Sequence, residues 1–517
     1  MVEDELYLAA LDGHAALAEY MADGCFVIMN HYSVKHLDYL LVRLSLMNKK
    51  IPSFFLVVLL TSLAALSACS TQAAQPSAVP AVGETESPMA VTALPPTPSS
   101  ITAEAIDLSA VALPAGIELE FWHPWSGALA DVMEELVAQF NQDNQWGISV
   151  NIQVHADELV LLQDIDDAAA AGDYPDVVAA PSAYLKTWYR QGWPLLDLAA
   201  FVDSSQYGFE PEQLEAFLPV FWKNDLIDAV RLGLPAYRDG HFLFYNQTWA
   251  EQLGFDDFPQ TSADFMAQAC AAANANLSDA LVENNGTGGW QFDTQSLTFL
   301  SWLSAFNGDD LIRSDGEISF TGEGSQDALA YLFDMYDQNC AWTGKQSQPF
   351  QYFADRYALL YSGDSRDIFT QEIFNRNAQS SDNWMLIPYP SDNLRPVVYV
   401  DGDSYAIFQK EADQNLAAWL FLRYLSSSES QISIIQVTGS LPLSTATIGA
   451  MTDFRQDHPV WDQALQYLAL AQPVPDTPGW MDTESVLSDM AWQLKYTAAK
   501  ESLPAILSEA ERIVQGN

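Results

Sequence analysis

An α/β fold built on a parallel sheet is what the sequence predicts, from three observations. Ile117-Glu118-Leu119-Glu120-Phe121 alternates with period two, as does Ile148-Val150-Ile152-Val154, and both read as strands. Between them, Leu129, Val132, Met133, Leu136, Val137 and Phe140 fall on one helical face. A further helical stretch ends at Gly172, and Pro175-Asp176-Val177-Val178-Ala179-Ala180 follows as a short buried strand. Strands alternating with helices at this spacing make parallel sheets, whose ligands bind outside the carboxyl ends of the strands. His123–Gly127 and Ala180–Ala183 occupy two such ends.

The segments ahead of this sheet concern location. Met47-Asn48-Lys49-Lys50 precedes an apolar run from Ile51 to Leu66 and the tetrapeptide Leu66-Ser67-Ala68-Cys69. A cationic start, an apolar centre and small residues before a cleavage point describe a secretory signal. Leu-Ser-Ala-Cys is also similar to a bacterial lipobox, which implies removal of 47–68 and lipidation of Cys69. The alternative is an uncleaved signal-anchor helix. Either places the remainder outside the cytoplasm, tied to a membrane through the anchor only. Residues 1–46 would precede the natural start at Met47 and are expected to be a gene-model extension. Residues 69–114, rich in Ala, Pro, Ser and Thr around Pro95-Pro96-Thr97-Pro98, are expected to form a flexible tether.

With 68 acidic against 21 basic residues the net charge is −47, which repels nucleic acid and anionic lipid. About 400 residues remain for folded structure, enough for two or three domain-sized units. Apart from Cys69, the secreted part holds only Cys270 and Cys340. An even pair in an oxidising space predicts a disulfide, against the alternative of two buried thiols. Closing that loop would contribute about 4 kcal/mol on the chain-entropy account. No metal-ligand motif, Walker loop, nucleophile elbow or usable dinucleotide fingerprint is present, so no cofactor or metal is expected. Gly286-Thr287-Gly288-Gly289 and Gly322-Glu323-Gly324 read as turns.

Several landmarks, in order, resemble the bacterial extracellular solute-binding proteins of family 1, which serve ABC sugar importers. They begin with Pro175-Asp176-Val177-Val178, Gln191-Gly192 and Leu195-Leu196-Asp197-Leu198. Gly233-Leu234-Pro235, Leu243-Phe244-Tyr245-Asn246, Leu253-Gly254-Phe255 and Pro259-Gln260-Thr261 continue the series. Asn307-Gly308-Asp309-Asp310, Asp315–Phe320, Ala358–Ser362, Ala417–Leu425 and Gly439-Ser440-Leu441-Pro442 complete it across 117–445. Gln247 replaces the family's lysine, and Ala180 and Ala183-Tyr184 occupy the neighbourhoods of maltose-type contacts.

The resemblance implies a two-lobe periplasmic-binding-protein-like fold with discontinuous lobes, a hinge and a ligand cleft between them. Lobe one is expected over 115–236 and 396–438, and lobe two over 240–392 and 440–517, with the tail after 445 helical. The implied function is capture of a carbohydrate by a monomer and its delivery to ABC permease subunits. A surface-anchored enzyme acting on polysaccharide is the alternative, and a pure adhesion module a third class.

Sugar recognition needs aromatic platforms and hydrogen-bonding groups. The expected ligand set is Trp122, His123, Trp125, Ser126, Ala180 and Ser182 from lobe one, and Asp293, Trp302, Ser362 and Asp364 from lobe two. Tyr237, Arg238, Tyr399, Asp401 and Asp403 are expected at the crossings. On that placement, Trp125→Ala or Trp302→Ala would each weaken binding by about 2 kcal/mol or more.

Overall fold

Strand β1 (Glu118–His123) seeds the first sheet by the alternation that predicts it. Leu119, Phe121 and His123 are buried, while Glu118 and Glu120 face solvent. The computed structural model describes Leu108, Val111 and residues 116–313, 316–345, 349–392, 395–477, 479–496 and 499–515. All belong to the unit Pro96–Asn517. The signal segment 47–68, Cys69 and residues 1–46 lie outside the described residues. Within the span expected to be tether, Leu108 is buried against the first hydrophobic core and Val111 packs beside it.

The first sheet has the order β2 (Ser149–Val154), β1, β3 (Val177–Pro181), β13 (Asp403–Ile407), β6 (Leu234–Pro235), and β4 (Leu226–Ile227) and β5 (Val230–Arg231) form a separate pair. β2, β1 and β3 run parallel. β13 pairs antiparallel with β3 and with β6. Helix Ala128–Asp143 covers the sheet with Val132, Met133, Leu136, Val137 and Phe140, the stripe read from the sequence. Helix Glu158–Ala171 starts where Asp157 accepts a hydrogen bond from Val160 N at 2.9 Å. It stops at Gly172, whose φ of 70° satisfies the left-handed C-terminal turn.

The second sheet is organised on β7 (Asp239–Asn246), eight residues that are all buried. Along one edge β7 pairs antiparallel with β12 (Val398–Asp401) and then with β11 (Trp384–Ile387); along the other it pairs with β10 (Ala358–Asp364). β8 (Gly288–Gln291) and β9 (Ala341–Trp342) extend the sheet in parallel. Two α/β lobes result, each with its own core.

Several expectations change here. The segment 396–401, grouped with the first lobe, contributes β12 to the second sheet, so the chain returns to the first sheet at Gly402. The tail is not wholly helical, because β14 (Ala471–Pro473) pairs parallel with β12. Gly288-Gly289, read as a turn, opens β8. A Cβ at Gly289 would collide with the carbonyls of Cys340 and Ala269, so glycine lets helix Ser262–Ser278 cross the strand closely. Beside that crossing Cys270 and Cys340 form a disulfide, with Cα atoms 4.4 Å apart.

The chain crosses between sheets at Ala236–Arg238 and Gly402, and Arg238 stitches these crossings together. Its Nη1 donates to the carbonyls of Tyr237 (2.7 Å), Gly402 (3.3 Å) and Asp403 (2.6 Å). Its Nη2 donates to Ser404 Oγ at 2.7 Å and meets the fully buried carboxylate of Asp225 at 3.3 Å. Gly402, at φ 140°, admits this approach because any Cβ would strike the Tyr237 carbonyl.

Candidate functional site

Where the crossings meet the second sheet lies a solvent-open cavity of about 260 Å³. Asp239 comes from the start of β7, Asp364 from the end of β10 and Asp401 from the end of β12. Arg366 follows β10, Gln295 and Ser296 open helix Ser296–Asn307, and Glu484 and Ser488 project from helix Trp480–Tyr496. Polar groups gather here because strand ends and a helix start leave backbone and side chains uncovered by the cores.

Arg366 is the guanidinium of this lining. Its Nε lies 3.3 Å from Asp239 and its Nη2 lies 3.7 Å from Asp364. The Asp239 carboxylate, then that of Asp364, holds Arg366 firmly protonated against the opposing effect of burial. Behind Asp364, buried His241 places Nδ1 2.8 Å from its Oδ1 and Nε2 3.0 Å from both Thr298 Oγ1 and the Tyr389 hydroxyl. Burial pushes Asp364 upward, but the hydrogen bond from His241 and the charge of Arg366 bring it below its ordinary value.

The first lobe contributes Glu158. This half-buried carboxyl is hydrogen-bonded to Tyr184, and burial and then repulsion from Asp403, Asp401 and Glu484 push it up to about 8. Burial also raises Asp401 and Glu484, and pushes Asp403 to about 6 against the hydrogen bond it receives from Trp125. Charging Glu158 is therefore penalised where the lobes meet. The penalty is absent below the ordinary value of 4.5, grows as pH rises, and is complete above about 8. Raising pH from about 5 to about 9 is expected to lower the melting midpoint. Glu158→Gln should flatten that slope; an unchanged slope in a pH series would refute the placement.

The residues expected from the sequence separate into three groups. Asp364 and Asp401 line the cavity, and Asp403 belongs to the carboxyl cluster facing Glu158. Asp293 is half-buried behind the helix start, accepting from Gln295 N and Thr298 Oγ1, and burial raises it to about 6. Ser362 is buried two residues before Asp364 on β10, and Tyr399 is buried with its hydroxyl 2.5 Å from Ser304 Oγ.

The others do not line this cavity. Trp125 has no open face: His123 stacks on it at 4.8 Å, and its indole donates to Asp403 Oδ2 at 2.5 Å. Tyr237 is buried beside it with its hydroxyl 3.4 Å from the same oxygen. Burial lowers His123 to about 4, leaving it neutral. Trp122 packs on the satellite core that includes Leu161 and Ala180, on the opposite side of β1. Ser182 Oγ donates to the Asn224 carbonyl, and Ser126 is exposed. Arg238 is spent on the crossings.

Trp302 is the clearest correction. It is fully buried among Phe265, Trp290, Tyr331 and Tyr389, with ring centroids 4.9–5.7 Å away. None of the nine lining residues is aromatic, so the expected platforms are replaced by hydrogen-bonding groups. The lining residues Asp239, Arg366, Glu484 and Ser488, and the nearby Glu158, are not singled out by the sequence, whereas Gln295 and Ser296 fall in the segment from Asp293 to Ser296 where the family resemblance implies ligand contact. Arg366 and Ser296 lie two and three residues from the expected Asp364 and Asp293, and that proximity was a usable signal. Among the described residues no cluster of three metal-ligating side chains occurs, and no helix is long and apolar enough to cross a membrane.

Comparison with known proteins agrees with this architecture. The cyclic α-maltosyl-1,6-maltose binding protein of Arthrobacter globiformis superposes with a TM-score of 0.63 at 19% identity, covering 77% of this chain and 98% of its own. The sugar-binding protein MalE of Xanthomonas citri gives 0.65 at 21%, covering 77% and 96%. The GacH receptor of Streptomyces glaucescens, described in complex with acarbose, gives 0.63 at 16%, covering 78% and 100%. A search of curated proteins gave no match. Residues 135–485, well over half of the chain, match the model of the bacterial extracellular solute-binding proteins, and the chain belongs to that family.

Proposed function

We propose that this protein captures a carbohydrate outside the cytoplasm and delivers it to the permease of an ABC importer. The observation that carries the reading is the lining of the junction cavity, where Asp239, Asp364, Asp401, Glu484, Gln295 and Ser296 converge. Carboxylates and amides bind neighbouring sugar hydroxyls in pairs. The similar structures are described with cyclic maltosyl-maltose and acarbose, which supports a saccharide as the solute class. Cys69, outside the described residues, would tether the protein to the membrane by lipid.

A second reading is favoured by charge. Glu158, Asp401 and Glu484 form no ion pair among the described residues, and Arg366 is already engaged by two aspartates. A cationic solute such as an aminated sugar would neutralise them. Calorimetry of purified protein against neutral and aminated glucose oligomers separates the two. Saturable one-to-one binding without hydrolysis is expected, and Asp401→Asn should weaken it at least tenfold, the loss of a charged hydrogen bond. Product release, or no heat with any saccharide, would overturn the proposal.

A further inference from the structure

Away from the cavity, two cations of the first lobe converge on one carboxylate of the second. Lys186 Nζ lies 3.2 Å from Asp476 Oδ2, and Arg190 Nη2 donates to Asp476 Oδ1 at 3.0 Å. Both cations sit on helix Ser182–Arg190, which follows β3 of the first sheet. Asp476 sits between β14, a strand of the second sheet, and helix Trp480–Tyr496. The contact therefore spans the lobes directly rather than through a crossing.

Three further facts give the contact weight. Lys186 is buried, only 7% exposed, while its partner Asp476 stays partly open to solvent. A partly desolvated pair is screened less than a surface pair. Ala183, on the same helix, packs into the core cluster of the second lobe, which sets the lobe spacing at which the ions meet. Opposing forces act across the same junction, where first-lobe Glu158 faces second-lobe Asp401 and Glu484. Bringing the lobes together thus joins one set of opposite charges and crowds one set of like charges. In a chain with 68 acids and 21 bases, two bases on a single acid form a local exception to the general repulsion.

We infer that Lys186, Arg190 and Asp476 form an interlobe clasp that holds the cleft closed against the repulsion of its carboxylates. They are positioning residues, since neither Lys186, Arg190 nor Asp476 lines the ligand cavity. Apparent affinity for any solute scales with the fraction of protein in the binding-competent state. The clasp consequently tunes affinity without touching the ligand, whatever that ligand is.

The test requires no ligand, so it stands apart from the carbohydrate reading. Spin labels on unnatural residues at exposed Asp166 of the first lobe and Asp327 of the second report the lobe separation in the folded chain. Asp476→Asn is expected to reduce the short-distance population about fivefold. Arg190→Gln, a partly exposed position safe for folding, should shift it in the same direction, and Asp476→Glu should restore most of it. Distance distributions for Asp476→Asn and Arg190→Gln that coincide with the parent would overturn the inference. So would a shift that Asp476→Glu fails to recover, since that would mark a loop-packing role. If Asp476→Asn does not fold, Arg190→Gln alone decides.

Discussion

Replacing Arg238 by alanine is expected to destabilise the protein by about 3–5 kcal/mol, the cost of stranding a buried charge without its partner. Asp225 is fully buried and would keep the Ser404 hydroxyl at 2.6 Å and the charge of Arg231 but lose its guanidinium partner. The carbonyls of Tyr237, Gly402 and Asp403 would each lose the guanidinium donor in the same step, Asp403 keeping the Ala236 amide at 2.9 Å, at the point where both lobes are joined. Denaturant unfolding followed by fluorescence should show a lower midpoint. Arg238→Lys should recover little, because an ammonium cannot reach three carbonyls and a carboxylate in the fork geometry of a guanidinium. A midpoint unchanged in Arg238→Ala would remove the case for a structural arginine and restore it as a ligand contact.

Trp302→Ala is expected to cost a further class of energy, about 3–5 kcal/mol for emptying a large aromatic site in a packed core. The ring touches Phe265, Trp290, Tyr331 and Tyr389, and a cavity there lies beneath Tyr389, which supports His241 and through it Asp364. The unfolding midpoint should fall steeply, while calorimetry on the folded fraction should give near-parental affinity for any identified solute. A platform role would produce the reverse: retained stability and lost affinity. The two measurements on one variant therefore separate core from cleft.

Much of the scaffold was legible without coordinates. The period-two pattern of Leu119 and Phe121 and the helical stripe from Val132 to Phe140 reflect backbone geometry, which a local sequence states directly. Among the described residues the two cysteines admit one pairing, and Cys270–Cys340 is that pair. The placement of Asp364 and Asp401 at the cavity was also readable, because they stand at strand ends of an α/β sheet.

Helix Ser296–Asn307 shows where local reading ends. It is buried from Thr298 through Ala305, so no apolar stripe tells which face meets the cleft, and Trp302 turns inward. Glu158 and Glu484 carry no motif at all. They reach the cavity's surroundings because a first-lobe helix start and a C-terminal helix are brought together over more than 300 residues of chain. Lys186, Arg190 and Asp476 meet for the same reason. The sequence by itself determined the elements, the family likeness and the acidic character of the whole. Only the tertiary structure decided which charges face each other, because a carboxyl's environment depends on groups distant in sequence and close in space.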